Sequence, residues 1–452
     1  MINRFGISAI ALGALLLWVC LHGISPGAYF EVLAAFDIPR AAQPFSDLGA
    51  VLQAVYCTGQ GVNVYAPNAC MGGGNYNYSP LLLHFGGLGA LAAHLKFAGL
   101  GFGALFIATL AVLPPPQSRA EFWLRALASV SASTVFAVER MNLDVVIFLF
   151  AMGGIWLSLR GGIARLAGYA LFCLAAALKY YPVALLALLL REPPRRLAAL
   201  AVLLGTAGLG FLVWFGAGTL TALAIVPHGP PFGNCFGAID IPLGISLGIA
   251  AVHGDKLHDL SHFHMPLALR LAYMAMILAA LWRGWVNAAL YRPAMARLES
   301  ATEVFLIGGA ALICVCFFMA QNIDYRSIFL LLALPGVFAL QRAGVAKAGW
   351  LAIAIVALLW ESFFRIAAVS VMPVLAGQAV GYSVVIMVWA GREVLWWWVI
   401  TQFLALLFLY AGAALSRALA CLPHDPTTLP CRSVLQRGRG DPVLRRFHPP
   451  GA

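Results

Sequence analysis

The chain of 452 residues is 62% hydrophobic and only 10% charged, and its mean hydropathy is +0.90. A soluble domain needs more surface charge than this, so the composition excludes an ordinary soluble protein. The 28 Lys and Arg residues outnumber the 17 Asp and Glu residues, and most of them lie in short loops between apolar runs or in the tail. That distribution is typical of cytoplasmic loops of membrane proteins, and it argues against nucleic-acid binding.

Apolar runs predict an all-α, polytopic integral membrane protein, because about 20 apolar residues form a helix that crosses the hydrocarbon layer. The first run, 6–24, is interpreted as a retained span, since no small-x-small cleavage site follows it. The stretch 371–390 fits either a further span or a helix on the outer surface. We expect about 12 transmembrane helices, and the other runs lie at 97–113, 122–138, 142–159, 166–178 with 181–190, 197–216, 266–282, 303–320, 327–341, 348–365 and 394–416.

The basic residues predict the orientation and the domain division. With the N-terminus inside, nearly every Arg and Lys cluster between spans falls on the cytoplasmic side. Residues 1–416 then form one multi-span domain with two long outer segments, 25–80 and 217–265, and loops of such length are usually functional. The basic, Pro-rich tail 417–452 is predicted to be disordered on the cytoplasmic face.

A few ionisable residues fall inside spans or at their ends, where charge is costly and therefore often functional. Most lie near the outer ends of spans, whereas Lys179 lies at the break of the pair 166–178 and 181–190. Together they predict an outward-facing polar pocket suited to an anionic lipid headgroup. The alternative is that they pair with one another and hold helices together; the set is Glu139, Arg140, Asp144, Lys179, Asp324, Arg326, Glu361 and Arg365.

Several of these residues stand in blocks that resemble glycosyltransferase family 87. The blocks are GVNVY at 61–65, YNYSP at 76–80, VERMNLD at 138–144, ALKYYP at 177–182 and DYR at 324–326, followed by Phe329, Leu330 and Pro335. The resemblance implies a C-type glycosyltransferase architecture. It implies an enzyme that moves a sugar, typically mannose, from a polyprenyl-phosphate donor on the non-cytoplasmic face. An Asp of the first outer loop is then the expected base, and Asp47 occupies that place.

The chemistry of glycosyl transfer gives each candidate residue a role. A general base must take the acceptor's hydroxyl proton, and cations must stabilise the departing phosphate. We expect Asp47 to be the base, Lys179 and Arg326 to bind the donor phosphate, and Asp324 to orient Arg326 or bind sugar hydroxyls. Asp47 has an alternative role as the N-cap of the following helix. The remaining substrate-binding candidates are Glu139, Arg140, Asn142 and Asp144, with Tyr65 and Tyr78 stacking on a sugar ring.

Histidines and cysteines of the outer segments add two expectations. Two interpretations apply to His253, His258, His262 and His264: a metal site, or ordinary surface histidines of a loop. We favour the second and predict neither a metal nor another cofactor. Cys57 and Cys70 face an oxidising space and are expected to form a disulfide. In the last span, the Trp396–Trp398 cluster beside Arg392 and Glu393 is interpreted as an interfacial anchor.

The sequence therefore favours a glycosyltransferase of the inner (plasma) membrane with its active site on the extracytoplasmic side. Its expected partners are a polyprenyl-phosphate sugar, a glycolipid or glycan acceptor of the cell envelope, and membrane lipids, with no nucleic acid. A transporter or flippase shares the buried charges but is expected to show internal repeats, which are not evident. A non-catalytic assembly subunit is the third possibility, and it would tolerate replacement of Asp47.

Overall fold

A computed structural model describes residues 5–226, 229, 231–252, 265–376 and 378–420. The four outer histidines and the tail beyond residue 420 lie outside this part of the chain. Within it, two residues of a first strand, β1 (Cys235–Phe236), pair antiparallel with β2 (Asn322–Ile323). The α-helices are α1 Gly6–Ile24, α2 Pro26–Ala35, α3 Ser46–Gly59, α4 Leu95–Thr109, α5 Arg119–Ser129, α6 Ala132–Arg140, α7 Leu143–Ser158, α8 Gly162–Leu178, α9 Pro194–Ala224, α10 Asp240–Val252, α11 Leu267–Met295, α12 Ser300–Met319, α13 Leu330–Arg342, α14 Ala346–Leu359, α15 Glu361–Ala376 and α16 Gln378–Ala420.

Short 3-10 helices fill several of the connections and add to the helical content. They are Ala69–Met71, Pro80–His84, Gly86–His94, Leu110–Val112, Tyr181–Arg191 and Asp324–Phe329. Residues 371–376 end α15 and residues 378–390 begin α16, so these described parts of the stretch 371–390 belong to longer helices. Apart from loops and the two-residue strands, the residues that the structure describes are helical, as the sequence predicts.

The described residues contain six helices long and apolar enough to cross a membrane, or up to eight if two bent pairs each count as one span. The bent pairs are α6 with α7, at 106°, and α14 with α15, at 60°. Several predicted runs are divided: residues 122–138 fall partly in α5 and partly in α6, each too short to cross alone. The protein is a multi-pass membrane protein, and the figure of 12 spans stays a prediction.

Burial separates a central layer from a peripheral one. In the apolar window of α12, 78% of residues are buried inside the protein, whereas only 6% are buried in that of α9. The exposed face of α9 carries large apolar side chains such as Val213 and Trp214. An apolar surface of this length suits contact with lipid rather than water. The centre of the bundle is built from α7, α12 and α13.

Both outer segments fold against this bundle. In the first, a disulfide joins Cys57 of α3 to Cys70, which confirms that prediction. In the second, β1 pairs with β2 at the end of α12, and the ring of Phe236 stacks on Trp396 at 4.3 Å. Trp396 is buried and packs inside the protein, so it is not an interfacial anchor, whereas Trp397 and Trp398 are half-buried and their anchoring role stays a prediction.

Helices α7 and α8 approach closely because glycines face each other across their contact. A Cβ atom at Gly168 would lie 2.6 Å from the carbonyl oxygen of Gly154, and one at Gly154 would lie 2.4 Å from the ring of Phe172. Any larger residue at Gly168 must therefore push backbone against backbone. The register of α7 against α8 depends on this contact, and both helices lead to the polar residues considered next.

We predict that Gly168→Ala destabilises the protein. Overpacking costs about 1–3 kcal/mol, which outweighs the gain of about 1 kcal/mol from replacing a helical Gly by Ala. The matched control is Gly205→Ala on α9, where an added Cβ meets nothing within 4 Å. Thermal unfolding in a fixed detergent should show a lower Tm for Gly168→Ala than for the control. An equal Tm for the two variants would mean that the α7–α8 contact is looser than described.

Candidate active site at three helix breaks

The first break in regular helix separates α6 from α7. Met141 adopts a left-handed conformation with φ 46°, which ends α6. Asn142 then caps α7, because its Oδ1 accepts a hydrogen bond from the backbone N–H of Asp144 at 3.1 Å. The two helices meet at 106°. This corner brings the side chains of Asn142 and Asp144 to one place in the interior.

The second break follows α8, where the sequence predicts an interruption. Leu178 ends the helix, Lys179 is extended, and Pro182 opens the 3-10 helix Tyr181–Arg191. The Nζ of Lys179 donates to Asp144 Oδ1 at 2.8 Å and to Asn142 Oδ1 at 2.9 Å. Because Lys179 is 7% exposed, this ammonium group is removed from bulk solvent and depends on those partners.

The third break follows α12 and supplies a second cation. After β2, the 3-10 helix Asp324–Phe329 presents Arg326, whose Nε donates to Asp144 Oδ2 at 3.2 Å. The guanidinium also donates to Asn322 Oδ1. The side chain of Arg326 keeps 21% of its surface exposed, so it is accessible to a ligand as well as ion-paired.

Asp144 is the common partner of these groups. Its carboxylate is fully buried and accepts from Lys179, from Arg326 and from the hydroxyl of Tyr181. The predicted alternative, pairing among the buried charges, therefore describes part of the arrangement. It does not neutralise the cluster, because one carboxylate faces two cations and a formal charge of +1 remains on the three side chains.

Asp47 enters this network from the first outer segment. It lies in the first turn of α3, while Phe45 occupies the cap position with φ 62° and makes no side-chain cap, so Asp47 is not the N-cap. Its Oδ2 accepts a hydrogen bond from Asn142 Nδ2 at 2.6 Å, and its Oδ1 lies 4.0 Å from Arg140 Nη1. The side chain is 24% exposed. Partial burial raises the pKa of Asp47, against the opposing effects of Asn142 and Arg140.

Asn142 connects the Asp47 side of the network to the cationic side. The amide nitrogen donates to Asp47 and, at 3.2 Å, to Tyr78 Oη, while the amide oxygen accepts from Lys179. Lys179 also lies 5.2 Å from the centroid of the Tyr78 ring. Tyr65 is further out: its ring contacts Tyr76 at 5.9 Å, and Tyr76 contacts Tyr78 at 5.7 Å.

Glu139 and Arg140 lie on the other side of Asp47. Arg140 donates to Ser46 Oγ at 2.8 Å and to the Pro39 carbonyl, and its Nε is 3.4 Å from Glu139 Oε2. The hydroxyl of Tyr29 donates to Glu139 Oε1 at 3.3 Å. These contacts hold the chain that leads into Asp47, so Arg140 helps to position the start of α3.

Asp324 belongs to a separate ion cluster. Its Oδ2 accepts from Ser362 Oγ at 2.9 Å, whereas Arg326 is held by Asp144 and Asn322. Two positions apart in a 3-10 helix, with three residues per turn, Asp324 and Arg326 face different directions. The expectation that Asp324 orients Arg326 is therefore wrong. The charges of Arg392 and Arg365 act on Asp324, and both arginines also pair with Glu361.

The sequence analysis did not identify two residues that form hydrogen bonds with the charged groups of the site. Tyr181 lies within the block ALKYYP, but only the fold shows that its hydroxyl reaches Asp144. Asn322 precedes the block DYR and is 2% exposed, and no periodic pattern distinguishes it from a loop residue. The one sequence signal that favours Tyr181 or Asn322 as a site residue is its position as a polar residue beside a predicted helix break.

In the described part of the chain, no three His, Cys, Asp or Glu side chains are grouped so that they could hold a metal ion. One hydrogen-bonded network contains most of the expected residues, with Arg140 and Glu139 beside it; its members are Asp47, Asn142, Asp144, Lys179, Arg326 and Tyr78.

Comparison of the chain with protein-family models, with curated proteins and with solved structures gives no match.

We predict that Asp144→Asn strongly destabilises the protein, because it leaves the buried Lys179 and the partly buried Arg326 without their shared carboxylate. Breaking a buried ion pair in this way costs about 3–5 kcal/mol. The control is Asp240→Asn: Asp240 is equally buried, but among the described residues it has no cation within 4 Å and accepts from Gln321. Chemical or thermal unfolding should separate the two variants. Similar losses would show that the charge of Asp144 contributes little.

Proposed function

We propose that this protein is a membrane glycosyltransferase of C-type architecture, similar to glycosyltransferase family 87. It moves a hexose, with mannose as the first choice, from a polyprenyl-phosphate sugar to a glycolipid or glycan acceptor. The reaction takes place on the extracytoplasmic face of the inner (plasma) membrane. One observation carries the proposal: Asn142 binds both the carboxylate of Asp47 and the ammonium group of Lys179, and Asp144 adds Arg326 to the same network.

Asp47 has the properties that a general base needs. One oxygen is fixed by Asn142, and Oδ1 accepts no hydrogen bond from any residue that the structure describes. The raised pKa makes the carboxylate a stronger proton acceptor than an ordinary Asp. In the proposed step, the acceptor's hydroxyl oxygen bonds to the anomeric carbon of the donor sugar while the hydroxyl proton passes to Asp47. The bond from that carbon to the donor phosphate breaks, and the phosphate leaves with the electron pair.

Lys179 and Arg326 suit the departing phosphate. Hydrogen bonds from ionised donors to phosphate oxygens are strong, and cations fixed in advance stabilise developing charge without reorganisation. Asp144 holds both cations in place before a ligand arrives and leaves a positive balance for the phosphate. Tyr78, between Asn142 and Lys179, is positioned to contact the sugar. The ring of Tyr76 separates Tyr65 from Tyr78, so Tyr65 suits a part of the substrate farther from the reacting sugar.

The first test is sugar transfer by purified protein in lipid, with radiolabelled polyprenyl-phosphate mannose and a panel of envelope acceptors. Asp47→Asn should lower the rate by about 10²–10⁴-fold, the usual contribution of a general base. Glu31→Gln is the matched control on the same outer segment, because Glu31 is exposed on α2, whereas Asp37 pairs with the buried Arg365 and is unsuitable. Glu31→Gln should retain transfer.

Transfer that survives in folded Asp47→Asn would contradict the base assignment. Donor binding without transfer to any acceptor would contradict the transferase proposal and favour the transporter alternative. Folding of each variant is checked by its Tm, so loss of structure is not mistaken for loss of chemistry.

The pH dependence of transfer supplies an independent prediction. Asp47 accepts a proton only as a carboxylate, so activity should fall as the pH decreases through its pKa. Because burial raises the pKa of Asp47, the acidic limb of the pH–rate profile should have its midpoint above the ordinary Asp pKa of about 3.9. The charge of Arg140 lowers the pKa of Asp47, so Arg140→Gln should move the limb to higher pH.

The measurement is the initial rate as a function of pH at saturating donor. Arg160→Gln is the control, since Arg160 stacks on Trp156 at the opposite end of α7. A limb that stays in place in Arg140→Gln would mean that a group other than Asp47 is titrating.

A further inference from the structure

A cavity of about 150 Å³ lies between α1, α4 and α6. Most of its lining is apolar and comes from all three helices. On α1, the exposed Val19 is one of its walls, so the cavity borders the outer surface of the bundle. Representative apolar residues of the lining are Leu15, Trp18, Leu100, Phe106, Val135 and Val138. We call this space the α1–α4 cavity.

The polar residues of the α1–α4 cavity concentrate at one end. His22 lies in the last turn of α1, Lys96 in the first turn of α4 and Glu139 in the last turn of α6. Tyr29 links two of them, because its ring contacts His22 at 4.9 Å and its hydroxyl donates to Glu139. The hydroxyls of the two other polar lining residues, Ser129 and Thr134, donate to backbone carbonyls. The cavity therefore has the polarity of an amphiphile, with one polar end and an apolar length.

The polar end of the cavity adjoins the proposed base. Phe45 lines the cavity and stands two residues before Asp47. Its ring lies against Gly99, where a Cβ atom would be only 2.3 Å away, and its N–H donates to the Glu139 carbonyl at 2.7 Å. Asp47 consequently has the cavity on the side of Glu139 and the two cations on the side of Asn142.

We propose that the α1–α4 cavity holds part of the hydrocarbon chain of the acceptor, so that the acceptor is a lipid with a neutral, hydroxyl-bearing headgroup rather than a water-soluble glycan. This inference rests on the proposed transferase function and deepens it. A cavity of this volume accommodates a ligand of about the size of benzene. It takes one section of a single chain, and the rest of the chain extends into the membrane past the exposed residues of α1.

Charge distinguishes the acceptor from the donor as occupant. The donor carries a phosphate, and the cations Lys179 and Arg326 lie on the other side of Asp47. At the polar end of the cavity, the guanidinium of Arg140 lies against both Glu139 and Asp47, so a phosphate there would have to compete with two carboxylates for one cation. Lys96 is exposed at the margin, where phospholipid headgroups are available to it. A neutral headgroup avoids the repulsion and presents its hydroxyl to Asp47.

Photolabelling tests the cavity without requiring turnover. The probe is dodecyl mannoside with a diazirine at the end of its alkyl chain, added to the full-length protein in lipid nanodiscs and mapped by peptide mass spectrometry. We expect saturable labelling of α1 and α4 that unlabelled dodecyl mannoside suppresses and that polyprenyl phosphate does not. Labelling should persist in Asp47→Asn, so its outcome is independent of the transfer experiment.

Ala14→Phe should lower the apparent affinity for the probe by about tenfold, because a filled cavity excludes roughly two methylene groups from an apolar site. The matched control is the neighbouring Gly13→Phe on α1, since a Cβ at Gly13 meets nothing within 4 Å. Leu100→Trp fills the cavity from α4 and guards against misfolding of a single variant. Suppression by polyprenyl phosphate would assign the cavity to the donor chain and overturn the proposal. Unsaturable labelling spread over α9 and α11, or equal labelling of Ala14→Phe and Gly13→Phe, would also overturn it.

Discussion

The buried carboxylate of Asp144 determines how three separate parts of the chain can pack. Lys179 and Arg326 repel each other and lose hydration on burial, so both need a counter-charge that is fixed in the interior. Asp144 provides it from the first turn of α7, after the corner at Met141 and Asn142. The ends of α6, α8 and α12 therefore have to meet at this point, since any other arrangement leaves a buried charge without a partner.

The two outer segments support this centre in different ways. The first carries Asp47 into contact with Asn142 through α3, which the Cys57–Cys70 disulfide ties to the following loop. The second contributes β1, which pairs with β2 immediately before the 3-10 helix of Arg326, and the Asp324 N–H donates to the Asn234 carbonyl at 2.9 Å. The orientation of Arg326 thus depends on a loop almost a hundred residues earlier in the sequence.

The sequence predicts the features that follow from local composition. It places α1 at 6–24, as observed, and it identifies the break at Lys179 because Pro182 cannot continue a helix. It also predicts that Asp144 and Lys179 are buried, since a charge within an apolar run has to face the protein interior to avoid lipid. It misses other buried charges, such as Arg125, Asp240 and Glu393. It does not predict which charges pair, because the contacts between Asp144, Lys179 and Arg326 join residues up to 182 positions apart. The same limit explains Asp324, whose direction is set by the 3-10 geometry, and Trp396, which is covered by Phe236 from the second outer segment.

The network also suits the movement of charge that the proposed reaction requires. When the acceptor's proton reaches Asp47, the negative charge of that side chain is lost, and the phosphate gains one as the sugar leaves it. Negative charge therefore moves from the Asp47 side of Asn142 to the side of Lys179 and Arg326. Cations placed where charge appears stabilise the transition state more than the bound substrates, which is the condition for catalysis. Asp144 makes this placement possible by holding both cations before the phosphate arrives, and its single charge leaves the second positive charge to be balanced by Asp47 until Asp47 takes the proton. A fully neutralised pair would hold the helices equally well but would offer the departing phosphate much less.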